Sequence, residues 1–157
     1  MTIKLLAVGK TDNKQLNELI NIYINRLKHY VKFDFEIIVD IKNAKNLSET
    51  QQKDKEGKLI LNKLQTTDFV ILLDENGKQY SSVGFSELLQ KQMNSGVKRL
   101  VFIIGGPYGF SQEIYQRSNS KLSLSKMTFS HQMIRLFFVE QLYRGFTILK
   151  NEPYHHR

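Results

Sequence analysis

The chain has 157 residues, of which 41% are hydrophobic and 24% are charged, so it is long enough for one domain with its own core. It contains no cysteine, which excludes disulfide frameworks, thiolate zinc sites and cysteine nucleophiles, and we expect no bound metal. The 23 lysines and arginines outnumber the 15 aspartates and glutamates, and a net charge of +8 is typical of proteins that bind a polyanion.

Strand and helix patterns alternate along the chain. The predicted elements are a strand at Ile3–Val8, a helix from Leu16, a strand at 33–39, a helix from Ser48 to about Leu64, a strand at Phe69–Leu73 ended by a turn at Asp74–Gly77, a helix from Ser81 or Ser82 to Gly96, a strand at Leu100–Ile104, a short helix capped by Ser111, a brief strand at Leu122–Leu124, and a helix from about His131 to Lys150.

Two of these strands, Phe69–Leu73 and Leu100–Ile104, are wholly apolar, as strands are when helices cover both faces of a parallel sheet. The predicted fold class is therefore α/β, with a mostly parallel sheet and helices on both faces. In such folds ligands bind beyond the carboxyl ends of the strands. This rule directs attention to four loops, at residues 9–13, 74–78, 105–110 and 125–130.

Neither the whole chain nor its first segment shows a targeting or membrane signal. The apolar run Leu5–Val8 is too short for a signal peptide, and no later run is long enough to cross a membrane, so we expect a cytoplasmic protein. No linker or repeat divides the sequence, and we expect a single domain over residues 1–157.

The loop after the first strand, Gly9-Lys10-Thr11, has the end of a phosphate-binding P-loop but not its beginning. Lys4 stands where the motif needs its first glycine, and no G-x-G-x-x-G follows the strand, which disfavours a nucleotide-dependent oxidoreductase. The later pair Gly105-Gly106 is compatible either with a tight strand-to-helix connection or with a loop that lies against a cofactor.

The last quarter of the chain carries the remaining signals. Residues 117–157 hold seven basic and two acidic residues. The apolar helix from His131 has two interpretations, burial within one core or packing against both the sheet and a second subunit. The tail Pro153–Arg157 has side chains that can stack on bases and bind phosphate, although a loose chain end is the alternative.

These segments together resemble the ribosomal RNA large subunit methyltransferase H family. The resemblance runs from end to end and rests on Ile3–Lys10, Leu72–Asp74 with Gly77-Lys78 and Ser81-Ser82, Ile104–Pro107 with Gly109, Leu124–Phe129 with His131, Glu140–Arg144, and Pro153–His155. Departures from the family pattern occur at Val83, Tyr108 and Ser130.

The resemblance implies a SPOUT-class fold with a carboxyl-terminal trefoil knot. It implies a homodimer that uses S-adenosylmethionine to methylate N3 of a pseudouridine in large-subunit ribosomal RNA, on assembled ribosomes. It also implies the cofactor-binding residues, which are Leu73, Gly105, Leu124, Ser125, Lys126, Met127, Thr128 and Phe129.

Removal of the N3 proton needs a base, or a cation that stabilises the resulting anion. Our candidate catalytic residues are His131, His155, Arg144 and Tyr154, and our candidate RNA contacts are Arg135, Arg144 and Arg157. The alternative is a ribosome- or RNA-binding protein that keeps the fold without the chemistry.

Overall fold

The computed structural model describes residues 1–156 and places them in a five-stranded sheet with helices on both of its faces. Arg157, one of the predicted RNA contacts, lies outside the described residues. The elements in chain order are β1 (Thr2–Val8), α1 (Lys14–Leu27), β2 (Lys32–Ile38), a short 3-10 turn (Ala44–Asn46), α2 (Glu49–Leu61), β3 (Phe69–Gln79), α3 (Ser82–Asn94), β4 (Arg99–Ile104), α4 (Gln112–Arg117), β5 (Ser120–Ser123) and α5 (Met133–Leu149).

All the paired strands in this part of the chain are parallel, and their order across the sheet is β2-β1-β4-β3-β5. The middle of the sheet consists of β1, β4 and the first half of β3, whose side chains are nearly all buried. Wholly apolar runs therefore mark the central strands, because helices cover them from both sides. The α/β prediction is confirmed.

Each face of the sheet has its own hydrophobic core. On one face α1, α3 and α5 pack over β1 and β4, and the rings of Phe85, Phe102 and Phe138 contact one another there. On the other face α2 and α4 contribute Ile60 and Ile114. Since α5 packs against α1, α3 and the sheet, burial within one chain accounts for much of its apolar sequence.

Side-chain caps begin four of the helices. Asn13, Ser48, Ser81 and Ser111 each accept a hydrogen bond from the backbone N–H three residues later. The Gln51 side chain also accepts from the Ser48 backbone, which completes a capping box. These bonds satisfy amides that have no partner within the first helical turn. The caps predicted at Ser48 and Ser111 are confirmed, and of the two serines that were candidates for the cap of α3, Ser81 is the one that makes the bond.

The strand β3 is longer than the sequence indicated. The turn predicted at Asp74–Gly77 does not end the strand, because Leu73 and Lys78 both pair with Leu122 of β5 and the residues between them form a bulge. Gly77 makes this bulge fit, since a Cβ there would lie 2.6 Å from the Leu122 backbone. The bulge places two acidic residues at the carboxyl end of the sheet.

The trefoil knot and the single domain remain predictions, because strand order and pairing do not establish how the chain is threaded. No helix within residues 1–156 is both long and apolar enough to cross a membrane. Over the same residues, no group of three or more histidines and carboxylates is placed to hold a metal ion.

Candidate active site

A cavity of about 580 Å³ opens at the carboxyl ends of β3, β4 and β5. Its volume falls within the roughly 300–1,000 Å³ that is usual for small-molecule sites. The parallel sheet brings separate loops together at this edge, as the fold class predicted. The lining consists of residues 73–76, 104–110, 122–125 and 127–131, with Tyr115 and Ile134.

Most of the residues predicted to bind the cofactor come together in this lining, although their role stays a prediction. Those that line the cavity are Leu73, Gly105, Leu124, Ser125, Met127, Thr128 and Phe129. Lys126 is exposed and is absent from the lining. The sequence motif identified the segment, but only the fold shows which of its side chains point elsewhere.

The loop after β4 lines the cavity, and its two glycines allow it to pack closely against the rest of the protein. A Cβ on Gly105 would lie 3.1 Å from the Phe110 ring, and a Cβ on Gly106 would lie 2.8 Å from both carboxyl oxygens of Glu56. A contact of 2.8 Å is closer than real Cβ atoms come to other atoms. Glycine at position 106 therefore allows the loop to pack directly on α2.

Glu56 is buried beneath this loop and is only partly hydrogen-bonded. Its Oε2 accepts from Gln52 Nε2 at 3.2 Å, while its Oε1 has no partner. Burial raises the pKa of Glu56, the nearby Asp40 carboxylate raises it further, and the Gln52 hydrogen bond opposes both effects. Glu56 is not among the predicted site residues, because nothing local to α2 marks it as buried.

Hydroxyl groups shape the segment that follows β5. Ser123 Oγ donates to the Ser125 carbonyl at 2.9 Å, and Ser125 Oγ accepts from the Met127 backbone N–H at 2.9 Å. Local side-chain bonds of this kind hold a chain in turns that no strand or helix provides. The serines thereby fix the path of the predicted cofactor segment.

Asp74 lies in the cavity wall and is held in place from two sides. Its carboxylate accepts from the Asn76 backbone N–H at 2.8 Å and from the Tyr115 hydroxyl. Burial and the Asp74 contact both raise the pKa of Tyr115, so its hydroxyl remains a donor. The loop at residues 74–78 was predicted to lie at the site, but Asp74 was not among the predicted site residues. Its signal in the sequence is the position of an acid directly after an apolar strand.

His131 lies in the cavity wall immediately before α5. The next residue, Gln132, joins this turn to the loop after β1: its amide Nε2 donates to the Lys10 carbonyl, and its Oε1 accepts from the Asp12 N–H, each at 3.0 Å. The loop at residues 9–13, which the fold class nominated, therefore supports the His131 turn rather than lining the cavity.

Arg135 is completely buried, and the prediction that it contacts RNA does not fit this position. Its guanidinium donates to the Val8 carbonyl at 2.9 Å, the Thr11 hydroxyl at 3.1 Å and the His131 carbonyl at 2.9 Å. Burial lowers its pKa, while the charges of Asp12 and Asp40 oppose that effect. Arg135 therefore ties the start of α5 to the end of β1.

The tail folds back onto the middle of α5, where three predicted catalytic residues meet. The Tyr154 hydroxyl donates to Glu140 Oε1 at 2.8 Å, and Arg144 donates to the same oxygen at 2.6 Å. His155 Nδ1 lies 3.2 Å from Arg144 Nη1. Burial, followed by the bonds with Tyr23 and Glu140, raises the pKa of Tyr154. We call Tyr154, His155, Arg144 and Glu140 the tail cluster.

Within one chain the tail cluster and the cavity are apart. Arg144 lies eleven residues beyond the first residue of α5, which is roughly 16 Å along the axis at about 1.5 Å per residue. His131 precedes that first residue. The structure therefore groups Arg144, Tyr154 and His155 together but does not bring them to His131.

Comparison with known proteins connects this geometry to a family. Residues 1–155 match a family model described as "Predicted SPOUT methyltransferase". The chain belongs to this family. Relatives of this SPOUT methyltransferase include proteins named "Ribosomal RNA large subunit methyltransferase H" from Flavobacterium johnsoniae, 73% identical, and Christiangramia forsetii, 71% identical, each aligned over 100% of both chains. The resemblance seen in the motifs is confirmed.

A solved structure is also similar to this SPOUT methyltransferase. It is titled "Crystal structure of Archaeoglobus Fulgidus Nep1 bound to S-adenosylhomocysteine", with a TM-score of 0.41 and 12% identity, over 96% of this chain and 98% of that chain. This similarity is too low to support a conclusion about ligands or function.

Proposed function

We propose that this SPOUT methyltransferase acts as a homodimer and transfers a methyl group from S-adenosylmethionine to N3 of a pseudouridine in large-subunit ribosomal RNA, on assembled ribosomes. The observation that carries the proposal is the cavity at the carboxyl ends of β3, β4 and β5, which three separately predicted cofactor segments line. Full-length relatives named as large-subunit methyltransferases, at 71–73% identity, support the RNA substrate.

The chemistry of the lining fits the proposed donor. The loop that begins at Gly105 lines the cavity, so its backbone groups are available to pair with an adenosine. Leu73, Leu124 and Ile134 provide apolar walls, and Asp74 provides a negative charge in the cavity wall. When bound, S-adenosylmethionine supplies a methyl group on a positively charged sulfur, which activates it for transfer.

The protein must then orient the pseudouridine and accept one proton from it. The N3 proton leaves to a base, the N3 electron pair forms the new N–C bond, and the electron pair of the broken S–C bond stays on sulfur. His131 lies in the cavity wall and is the residue we assign to accept the proton. Correct orientation of the reacting atoms alone accounts for roughly 7–11 kcal/mol in well-arranged reactions.

The separation of the tail cluster from His131 supports a site shared between two subunits. Because Arg144, Tyr154 and His155 lie far along α5 from their own cavity, they reach a reacting centre only in the second copy of a dimer. Exposed apolar side chains also support a dimer. The side chains of Phe129, Met133 and Phe137 are each about 40% exposed. Apolar side chains grouped at a surface are typical of an interface.

The proposed RNA contacts now rest on fewer residues than the sequence suggested. Arg144 is paired with Glu140, which raises the pKa of the arginine, yet a quarter of its side chain stays exposed. A partly exposed guanidinium can bind a phosphate while it keeps one carboxylate partner. Arg144 and Arg157 therefore remain our candidates for phosphate contacts, and Arg135 does not.

Mass spectrometry of large-subunit ribosomal RNA tests the proposal. We expect one methylated pseudouridine in cells that carry the gene, its absence in cells without it, and its return when the wild-type gene is restored. His131→Ala, with its folding checked by circular dichroism, should restore little or none of it. If the methylated pseudouridine is still present in cells without the gene, the proposed reaction is refuted. The alternative, an RNA-binding protein without the chemistry, would then remain.

A further inference from the structure

The cavity that we assign to the methyl donor is lined by acids and not by lysine or arginine. Among the described residues of the lining, Asp74 and Glu75 are the carboxylates, His131 is the histidine, and lysine and arginine are absent. This contrasts with the chain as a whole, whose net charge is +8. A negative cavity in a positive protein favours a ligand that is itself positive.

Of the two acids, Asp74 is the one with a fixed position. The Asn76 N–H and the Tyr115 hydroxyl hold one carboxyl oxygen each, and the side chain is half-buried, whereas Glu75 is exposed and makes no hydrogen bond in the described residues. A carboxylate accepts about four hydrogen bonds, so two sites on Asp74 stay open to a ligand. Within residues 1–156, no lysine, arginine or histidine lies at salt-bridge distance from the Asp74 carboxylate.

A lysine lies near this arrangement but outside the cavity. Lys121 Nζ is 5.6 Å from the centre of the Tyr115 ring, and Lys121 is exposed. Solvent screens an exposed charge far more strongly than one in a cavity wall. Lys121 therefore offsets the charge of Asp74 less than a cation in the cavity wall would.

We infer that Asp74 distinguishes the methyl donor from its spent product by charge. The inference rests on the proposed function. S-adenosylmethionine carries a positive sulfonium, and S-adenosylhomocysteine carries a neutral thioether at the same atom, because the electron pair of the broken S–C bond returns to sulfur. The adenosine and amino-acid parts are identical in both. Attraction by Asp74 for the sulfonium is therefore lost in the transfer step itself, which favours release of the product.

Isothermal titration calorimetry of both ligands tests this inference with the full-length protein. Wild type is compared with Asp74→Asn, which keeps the size and acceptor oxygen but removes the charge. Asp54→Asn, at an exposed site on α2 outside the cavity lining, is the matched control. We expect Asp74→Asn to weaken S-adenosylmethionine about tenfold and S-adenosylhomocysteine less than about twofold, with no change in the control.

A second variant guards against a folding defect in Asp74→Asn. Asp74→Glu keeps the negative charge at this position, so it should keep most of the wild-type ratio between the affinities for S-adenosylmethionine and S-adenosylhomocysteine. Equal weakening of both ligands by Asp74→Asn, or a ratio that falls equally in Asp74→Glu and Asp74→Asn, would overturn the inference while leaving the donor site intact. Wild-type protein that binds neither ligand would instead contradict the proposed function.

Discussion

The buried carboxyl group of Glu56 makes part of the stability of this protein depend on pH. Its folded-state pKa is raised by burial, so the folded state binds its proton more tightly than the unfolded state does. The stability that this proton contributes is present below the unfolded-state pKa and is lost as the pH rises through the folded-state value. Besides Asp40, no charged group acts on Glu56 in the described structure; the other contact is the Gln52 amide.

We therefore predict that wild type loses stability relative to Glu56→Gln as the pH is raised from about 4 toward neutrality. Urea denaturation of both proteins across that range measures the difference. Glu87→Gln, an exposed acid on α3, is the control and should follow wild type at every pH. A constant difference between wild type and Glu56→Gln would contradict the prediction.

The buried guanidinium of Arg135 contributes to stability through its three acceptors. Arg135→Met fills similar space but leaves the Val8 and His131 carbonyls and the Thr11 hydroxyl without their donor. Lost hydrogen bonds at buried groups cost about 1–3 kcal/mol, and we expect a loss of that size in urea denaturation. The exposed Lys126→Met should change the free energy of unfolding by less than about 0.5 kcal/mol. Equal effects of the two substitutions would show that the Arg135 bonds contribute nothing.

At the scale of elements, α5 depends on a cap that lies outside the helix. Its own first flanking residue, Gln132, makes no capping bond. Ser130 supplies one instead: its Oγ accepts from the Met133 N–H at 3.0 Å, and its carbonyl accepts from the Ile134 N–H at 3.0 Å. Ser130 is one of the departures from the family pattern, and this bond gives it a structural role.

We predict that Ser130→Ala lowers the free energy of unfolding by about 1 kcal/mol, the usual contribution of such a cap. Thermal or urea denaturation measures it. Ser130→Asn keeps an acceptor at the same place and should recover most of the loss. If the asparagine variant is as unstable as the alanine variant, the hydroxyl acts in some other way.

The elements themselves show which features a sequence reveals. The caps at Ser48, Ser81 and Ser111 are local patterns, and the structure confirms them. The bulge in β3 is not local, because it exists only where Leu73 and Lys78 share a partner in β5, some fifty residues later in the chain. For this reason the sequence indicated a turn where the strand continues.

The same distinction holds for the site. Strand ends in a parallel sheet meet at one edge, so the cavity and most of its predicted lining followed from the order of elements. The burial of Arg135 and the position of the tail could not be predicted in this way. Both depend on contacts with elements that are distant in the sequence. Helical spacing shows which residues share a face, but not that Val8 and Thr11 offer acceptors to that face.

For the whole molecule, we predict that two inactive variants restore activity when their subunits mix. His131→Ala damages the cavity and His155→Ala damages the tail cluster. In a mixed dimer, one site combines the intact cavity of one subunit with the intact tail of the other. Random mixing makes half of the dimers mixed with one intact site each, so about a quarter of wild-type activity should return.

Single-turnover methylation of ribosomes, with the variants denatured and refolded together, measures this recovery. Each variant refolded alone is the control and should stay inactive. Failure of the mixture to exceed the two controls would place the cavity and the tail cluster of one site in the same subunit, or show that one of the histidines is dispensable.

The central position of β1 has a consequence for how a newly made chain folds. Its two neighbours are β2, which follows it closely, and β4, whose Phe102 pairs with Leu5 roughly a hundred residues later. Until β4 has been synthesised, one hydrogen-bonding edge of an almost wholly apolar strand stays open. Pairings so distant in sequence form slowly and leave intermediates prone to aggregation. During translation, we therefore expect the first two thirds of the chain to be prone to self-association along this open edge until β4 emerges from the ribosome.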